Sequence, residues 1–221
     1  MKLLCNAFLK FLSGLAVVFL LLFLPAGTFR FWNAWLFTAL LFLPMLAVAV
    51  FLFARAPELL AKRLNTREQE GTQKAVVALS ALLLSGGLLL AGLDFRFGWS
   101  RIPVWLTFLA AVVQVIAYGL YVEVMRENAF LSRTVEIQAE QKVIDTGLYG
   151  IVRHPMYLAV TLLFLSIPLV LSSWPCFVVF LFAPLLLVLR ISNEEKVLEQ
   201  GLPGYTEYKK RVRYRMIPFI W

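Results

Sequence analysis

Long apolar runs restrict this chain to a fold that lies within a membrane. Residues 155–189 form a run of 35 residues without one charged side chain, and several other apolar runs reach 17 residues or more. A transmembrane helix needs about 20 predominantly apolar residues. Charged residues make up only 15% of the chain, against about 25% in soluble domains. We therefore predict an all-α fold, a polytopic bundle of transmembrane helices.

The order of the apolar runs predicts about six membrane helices. The uncharged run 155–189 is interrupted by Ser172-Ser173-Trp174-Pro175, which predicts a hairpin of two short helices. Helices of about 15 residues are ~22 Å long, which is short for a hydrocarbon core of ~30 Å. Two alternatives remain: the hairpin crosses a thinned bilayer, or it does not fully cross. The four spans before it are residues 11–24, 32–53, 75–93 and 102–122.

One structural domain is expected, with two parts. Residues 1–127 hold the four N-terminal helices, and residues 128–221 hold a polar loop, the hairpin and a basic tail. Lys2 and Lys10 precede the first apolar run, which is also compatible with a signal peptide. Pro25-Ala26-Gly27 is not an A-x-A cleavage pattern, so we expect the first helix to be retained.

Basic residues alternate from one side of the membrane to the other. Of the 21 lysines and arginines, 18 fall in the N-terminal residues, residues 54–74, 123–154 and 190–221, and 3 fall in the alternate loops. The positive-inside rule then predicts that both termini face the cytoplasm. The tail, residues 202–221, combines five basic residues with aromatics. Because it follows a membrane helix, we expect it to contact anionic lipid headgroups and not nucleic acid.

The most polar motif lies between the fourth span and the hairpin, at residues 145–157, and it holds the only histidine of the chain. Pro155 suits the first turn of a helix, so Arg153 and His154 should lie at a helix N-terminus. The free N–H groups there predict a site for an anion or a polar ligand at the membrane edge. The alternative is a loop that anchors the helix at the headgroups.

A second polar cluster follows the hairpin. Arg190 and Glu194 are four residues apart, so they share one face of a helix. The two ends of a hairpin lie close together, so we expect the first cluster to face the second and form a pocket. The residues expected to meet are Arg153, His154 and Tyr157 on one side and Arg190, Glu194 and Glu195 on the other. A lone histidine without cysteine or aspartate partners predicts no metal site.

Several motifs in order carry a resemblance to a known family. They are Gly147-Leu148-Tyr149, Arg153-His154-Pro155-Met156-Tyr157, the uncharged hairpin, Glu194-Glu195 and Pro203-Gly204-Tyr205-Thr206-Glu207-Tyr208. In this order the chain resembles the isoprenylcysteine carboxyl methyltransferase family over residues 128–221. The related phospholipid N-methyltransferases are similar over the same stretch. The first four spans match only as hydrophobic helices.

The resemblance implies transfer of a methyl group from S-adenosyl-L-methionine to a lipid-borne acceptor, with residues 128–221 as the methyltransferase region. It implies Arg190 as the substrate-binding residue and Arg190, Arg153 and His154 as the catalytic set. It implies that the cofactor contacts Gln141, Lys142, Val143, Ile144, Tyr149, His154, Pro155, Met156, Tyr157 and Glu194. The implied acceptor is a lipid or a prenylated small molecule or peptide. The implied location is an inner membrane in a bacterium or the endoplasmic reticulum in a eukaryote, with the site facing the cytoplasm.

The chemistry of the acceptor stays open. An isoprenylcysteine-type carboxylate is already ionised at neutral pH and needs no base, so Arg190 would hold it in line with the methyl group. An amine must lose a proton, and His154 or Glu195 would then be the base. Phospholipid amines and small thiols are the competing acceptors. Two further alternatives are a non-catalytic membrane scaffold and a membrane reductase, for which the sequence has no nicotinamide motif.

Overall fold

Helices make up all the regular secondary structure in the part of the chain that the computed structural model describes, residues 2–65, 71–132, 134 and 137–221. This confirms the predicted all-α class. The helices are α1 Lys2–Ala26, α2 Trp32–Arg55, α3 Pro57–Leu64, α4 Gly71–Phe97, α5 Val104–Glu127, α6 Pro155–Val170, α7 Trp174–Phe180, α8 Ala183–Gly201 and α9 Tyr205–Arg211. A 3₁₀ turn, Gly147–Gly150, precedes α6.

Five stretches within the described residues are long and apolar enough to cross a membrane. They are Leu3–Ala26, Trp32–Arg55, Gln73–Phe97, Val104–Glu127 and Trp174–Gly201. Helix α6 is apolar but has only 16 residues. The predicted hairpin is therefore present, with α6 as its first arm and α7 followed by α8 as its second. The second arm is interrupted just before Pro184, which lies in the first turn of α8, where its missing N–H removes no helical hydrogen bond.

Although α6 is short, its C-terminal end reaches the end of the bundle at which the long helices α2 and α5 begin. Asn33 Nδ2 donates to the carbonyl oxygen of Val170 at 2.8 Å, and Thr107 Oγ1 donates to that of Leu169 at 3.2 Å. The hairpin turn therefore lies against the start of α2 and the start of α5. The two alternatives were a hairpin that crosses a thinned bilayer and one that does not fully cross. The structure favours the first, because α6 runs from the polar end of the bundle to the opposite end.

The polar segments gather at the other end, where the residues after α3, α5 and α8 lie. Arg63 on α3 donates through Nη1 to the carbonyl oxygen of Ser132 at 3.1 Å, which joins two of these segments. The sequence predicts that basic residues fall in alternate loops. In the structure, the basic loops lie at this end of the bundle and the alternate loops lie at the opposite end. Arg67 and Arg133, which that prediction counted, lie outside the described residues. The side of the membrane that each end faces stays a prediction.

Close contact between α4 and its neighbours holds the hairpin against the first helix. A Cβ atom at Gly87 would meet the Phe180 ring at 2.3 Å, and one at Gly92 would meet the carbonyl oxygen of Leu22 at 2.6 Å. Phe180 and Leu22 are completely buried. Small residues at such positions let helix backbones approach each other, which is how helices associate in a membrane. This packing fixes α7 and α8 relative to the rest of the bundle.

Candidate active site

The motif at residues 145–157 folds as a 3₁₀ turn followed by the start of α6. The turn begins at Gly147, whose φ of +53° suits glycine. Tyr149 is held in the turn from two sides, because Asn128 Nδ2 donates to its hydroxyl at 2.9 Å and the Tyr208 hydroxyl donates to its carbonyl oxygen at 2.7 Å. Burial raises the pKa of Tyr149 to about 12, so its phenol is neutral at physiological pH.

Glu195 on α8 is the centre of a buried group of charges, the Glu195 cluster, and it is only 2% exposed. Arg153 Nε donates to Glu195 Oε1 at 2.7 Å, and His154 Nε2 lies 3.3 Å from the same oxygen. Arg215 Nε donates to Glu195 Oε2 at 3.0 Å. Lys209 Nζ lies 3.8 Å from the same Oε2. The two ends of the hairpin therefore meet as the sequence predicts, through a buried carboxylate that four basic side chains surround. Removing one partner from such a group leaves buried charge uncompensated.

The C-terminal tail also packs onto this cluster. The backbone N–H of His154 donates to the carbonyl oxygen of Arg215 at 2.7 Å. Arg153 Nη1 donates to the carbonyl oxygens of Val212 and Arg213 at 2.6 and 2.8 Å. The tail is thus part of the site, which the sequence analysis did not predict when it assigned the tail to the lipid surface.

A neighbouring group of hydrogen bonds, the Tyr157 cluster, joins α6, α8 and α4. The Tyr157 hydroxyl donates to Glu194 Oε2 at 2.5 Å and accepts from Arg190 Nε at 2.9 Å. Gln73 Nε2 on α4 donates to the carbonyl oxygen of Arg190 at 3.2 Å. Tyr157 therefore connects the acidic and the basic side chain that the sequence analysis selected on α8.

A cavity opens between these clusters, with about 860 Å³ of empty space including its open mouth. The cavity is lined by Asn128, Phe130, Leu131, Ser132, Thr134, Gln141, Lys142, Val143, Ile144, Tyr149, Arg153, His154, Met156, Tyr157, Arg190, Glu194, Val197, Leu198, Leu202, Tyr205 and Tyr208. Side chains from the loop before α6, from α6 and α8, and from α9 therefore meet at one recess that is open to solvent.

The cavity collects nearly all of the predicted site residues. Nine of the ten predicted cofactor residues line it, together with Arg153 and Arg190. Pro155 does not line it and instead begins α6. Glu195 does not line it either. Since basic side chains occupy both oxygens of Glu195, the structure argues against Glu195 as the general base considered for an amine acceptor.

Several lining residues were not predicted from the sequence, and they belong to three segments. These are the loop after α5, represented by Asn128 and Ser132, the part of α8 with Val197 and Leu198, and the start of α9, with Tyr205 and Tyr208. The spacing of three residues between the two tyrosines, which places them on one helix face, was the available signal. The buried Tyr205 hydroxyl has no hydrogen-bond partner among the described residues. A buried polar atom of this kind at a cavity is suited to bind a ligand.

Helix α3 supports the cavity from the N-terminal part of the chain. Arg63 hydrogen-bonds to the Tyr121 hydroxyl on α5, and its Nη1 lies 4.0 Å from Met156 Sδ. The start of α6 therefore lies beside Tyr121, six residues before the end of α5, a depth of ~9 Å. The cavity-lining residue Met156 therefore lies about two helical turns inside the end of α5, so the cavity is recessed into the helical bundle.

Comparisons with known proteins agree with the predicted resemblance. Residues 108–200 match the model of the isoprenylcysteine carboxyl methyltransferase (ICMT) family, which confirms the predicted resemblance over residues 128–200. A stretch of 91 residues is 34% identical to the Delta(14)-sterol reductase TM7SF2 of Mus musculus and covers 40% of this chain. The chain spans 22% of the length of that relative. Together with its apolar helices, the family match identifies the chain as an integral membrane protein.

Proposed function

Since residues 108–200 match the ICMT family, we propose that this chain is an integral membrane methyltransferase that uses S-adenosyl-L-methionine. The proposed reaction is isoprenylcysteine-type O-methylation of a carboxyl group on a lipid-borne acceptor, which forms a methyl ester. One observation supports the proposal most strongly: a single cavity collects nine of the ten residues predicted to contact the cofactor, together with Arg190.

The chemistry of the lining residues fits this cofactor. Tyr149, Tyr205 and Tyr208 offer aromatic surface to a nucleoside, and Tyr205 has the unpartnered hydroxyl. Glu194 is an acceptor for ribose hydroxyls or for an ammonium group. The Met156 N–H belongs to the first turn of α6 at a residue that lines the cavity, and it is a donor of the kind that binds a carboxylate. When bound, the cofactor supplies an electrophilic methyl group on a positively charged sulfur.

Arg190 is proposed to orient the acceptor. Its guanidinium is hydrogen-bonded to Tyr157, and it can pair with a carboxylate through two N–H groups. A carboxylate is already ionised at neutral pH, so the protein must only position it and exclude water. The recessed position of the cavity suits an acceptor whose polar end lies at the membrane surface. For an amine acceptor, His154 lines the cavity and remains the available base.

Removing the acidic and imidazole groups from the cavity is expected to abolish cofactor binding. The Glu194→Gln and His154→Ala variants should each weaken the affinity for S-adenosylhomocysteine by about 100-fold or more, because charge-assisted hydrogen bonds are lost. Calorimetric titration of the purified proteins in detergent measures this. Glu207→Gln is the matched control, since Glu207 is exposed on α9 and does not line the cavity. Normal affinity in both cavity variants would count against the proposed pocket.

A methyl-transfer assay tests the reaction and the acceptor together. Membranes that contain the protein are incubated with S-adenosylmethionine carrying a radiolabelled methyl group, and the lipid-soluble products are extracted. Label that base releases indicates an ester, as proposed. Label that resists base indicates methylation of a phospholipid amine or a thiol, the two alternative acceptors. Absence of label above that of membranes without the protein would contradict a methyltransferase and leave a reductase or a non-catalytic scaffold.

A reductase is the second candidate function, because a stretch of this chain is 34% identical to a sterol reductase. A reductase needs a hydride donor, so the test is titration with reduced nicotinamide dinucleotides beside S-adenosylhomocysteine. Binding of the dinucleotide with no binding of S-adenosylhomocysteine would favour the reductase.

The membrane surface is proposed as a further partner of the tail. Lys210 and Arg213 are exposed, and the apolar Phe219 and Ile220 are 85% and 77% exposed. Exposed basic and apolar side chains together suit adsorption to an anionic leaflet. With the positive-inside asymmetry, this supports the proposal that the active site faces the cytoplasm.

A further inference from the structure

A second cavity lies at the end of the bundle opposite the proposed active site. It has about 840 Å³ of empty space including its open mouth. The starts of α2 and α5, the end of α4 and the hairpin turn surround it. Nothing in the proposed methyl transfer uses this cavity, and it shares no lining residue with the first one.

Asp94 gives this cavity an acidic group. It belongs to the candidate membrane span Gln73–Phe97 and is only 1% exposed. Its carboxyl oxygens accept from the backbone N–H of Ser100 at 2.8 Å and from the Ser100 hydroxyl. Across residues 2–65, 71–132, 134 and 137–221, the structure gives Asp94 no ion pair.

The contacts of Asp94 leave part of its hydrogen-bonding capacity unused. An ionised carboxylate has about four acceptor positions, and Ser100 supplies two donors. Ionisable residues inside membrane segments are costly, and they normally pair with an opposite charge. A ligand with a cationic N–H donor would supply that pair from within the cavity.

Arg101 gives the same cavity a basic group. It lines the cavity and is exposed, and among the described residues it has no ion pair. A guanidinium group is well suited to bind phosphate oxygens. The apolar lining residues Trp32 and Val104 are 44% and 58% exposed, so apolar surface for lipid chains continues from the cavity along α2 and α5.

From this combination we propose that the second cavity binds the headgroup of an aminophospholipid, with its ammonium group at Asp94 and its phosphate at Arg101. The acyl chains lie along the exposed apolar surface of α2 and α5. A primary ammonium has three N–H donors, whereas a trimethylated one has none, so the site discriminates between the two headgroups. This proposal is independent of the reaction proposed for the first cavity.

Native mass spectrometry of the full-length protein with added lipid tests this site. The probes are dioleoyl phosphatidylethanolamine, phosphatidylcholine and phosphatidylglycerol at equal concentrations. We expect phosphatidylethanolamine to bind about tenfold more tightly than phosphatidylcholine, the loss expected for a charge-assisted hydrogen bond. Asp94→Asn should remove this preference, and Arg101→Gln should weaken all three lipids. Arg30→Gln is the matched control, because Arg30 is exposed in the loop before α2 and does not line the cavity.

Two results on the preference for phosphatidylethanolamine would overturn the proposal, and one result on the control variant would reject it as well. One is equal binding of phosphatidylethanolamine and phosphatidylcholine by the unmodified protein, a comparison that needs no variant and so does not depend on how Asp94→Asn folds. The other is an unchanged preference in a folded Asp94→Asn protein. An effect of Arg30→Gln as large as that of Arg101→Gln would mean that any positive charge at this end suffices, which would also reject the site.

Discussion

The Glu195→Gln variant is expected to lose about 3–5 kcal/mol of unfolding free energy, the usual cost of removing one partner from a buried ion pair. Glu195 is only 2% exposed and receives hydrogen bonds from Arg153 and Arg215, with His154 beside it. A glutamine amide keeps the size of the side chain but leaves the buried Arg153 without a counter-charge. The Arg215 guanidinium would also lose the carboxylate to which it donates.

Glu199→Gln is the matched control for this experiment. Both glutamates lie on α8 and both pair with Lys209, but the Glu199 side chain is 36% exposed. Exposed ion pairs contribute about 0–1 kcal/mol, so this variant should stay close to the unmodified protein. Unfolding in mixed micelles with increasing denaturing detergent measures both free energies. If both variants lose the same unfolding free energy, the Glu195 cluster contributes no more to stability than the exposed ion pair of Glu199.

Arg190→Ala is expected to reduce methyl transfer by about 100- to 1,000-fold, the usual cost of removing a group that orients or stabilises the reacting atoms. Its guanidinium lines the cavity and contacts Tyr157. The affinity for S-adenosylhomocysteine should fall far less, because Glu194 and the aromatic side chains remain. Initial rates at varied acceptor concentration, together with calorimetry on the same samples, separate the two effects.

Two further variants test whether the loss of rate is specific to the guanidinium group of Arg190. Arg190→Lys keeps the charge but loses the planar pair of donors, so it should recover only part of the rate. Lys196→Ala removes an exposed cation from the same helix at a position that does not line the cavity, and it should leave the rate unchanged. If Arg190→Ala reduces cofactor affinity and acceptor use by the same factor, its proposed role in acceptor binding is wrong.

The parts of the fold that the sequence predicts well are those with a strong local signal. The apolar runs predict the long helices, and the uncharged run of residues 155–189 predicts the hairpin. Chain connectivity alone then brings His154 close to Glu195, since the ends of a hairpin cannot lie far apart. Pro155 predicts the start of α6 because its ring suits a first helical turn.

The features that the sequence analysis missed depend on contacts between distant parts of the chain. The contact of Arg215 with Glu195 and that of Arg63 with Ser132 join residues whose pairing no local pattern reveals. A tail rich in basic and aromatic residues looks the same whether it covers a lipid surface or a buried carboxylate. Tyr205 and Tyr208 were quoted for the family resemblance, but only the folded chain brings them to the cavity.

Calorimetric titration of the purified full-length protein with S-adenosylhomocysteine tests the central claim most directly, since that claim is that the cavity between α6 and α8 binds the cofactor. We expect one site per chain with a dissociation constant in the micromolar range or below, and no measurable binding in the Glu194→Gln protein. A folded protein that binds no S-adenosylhomocysteine, or a Glu194→Gln variant that binds it as tightly as the unmodified chain, would contradict this account.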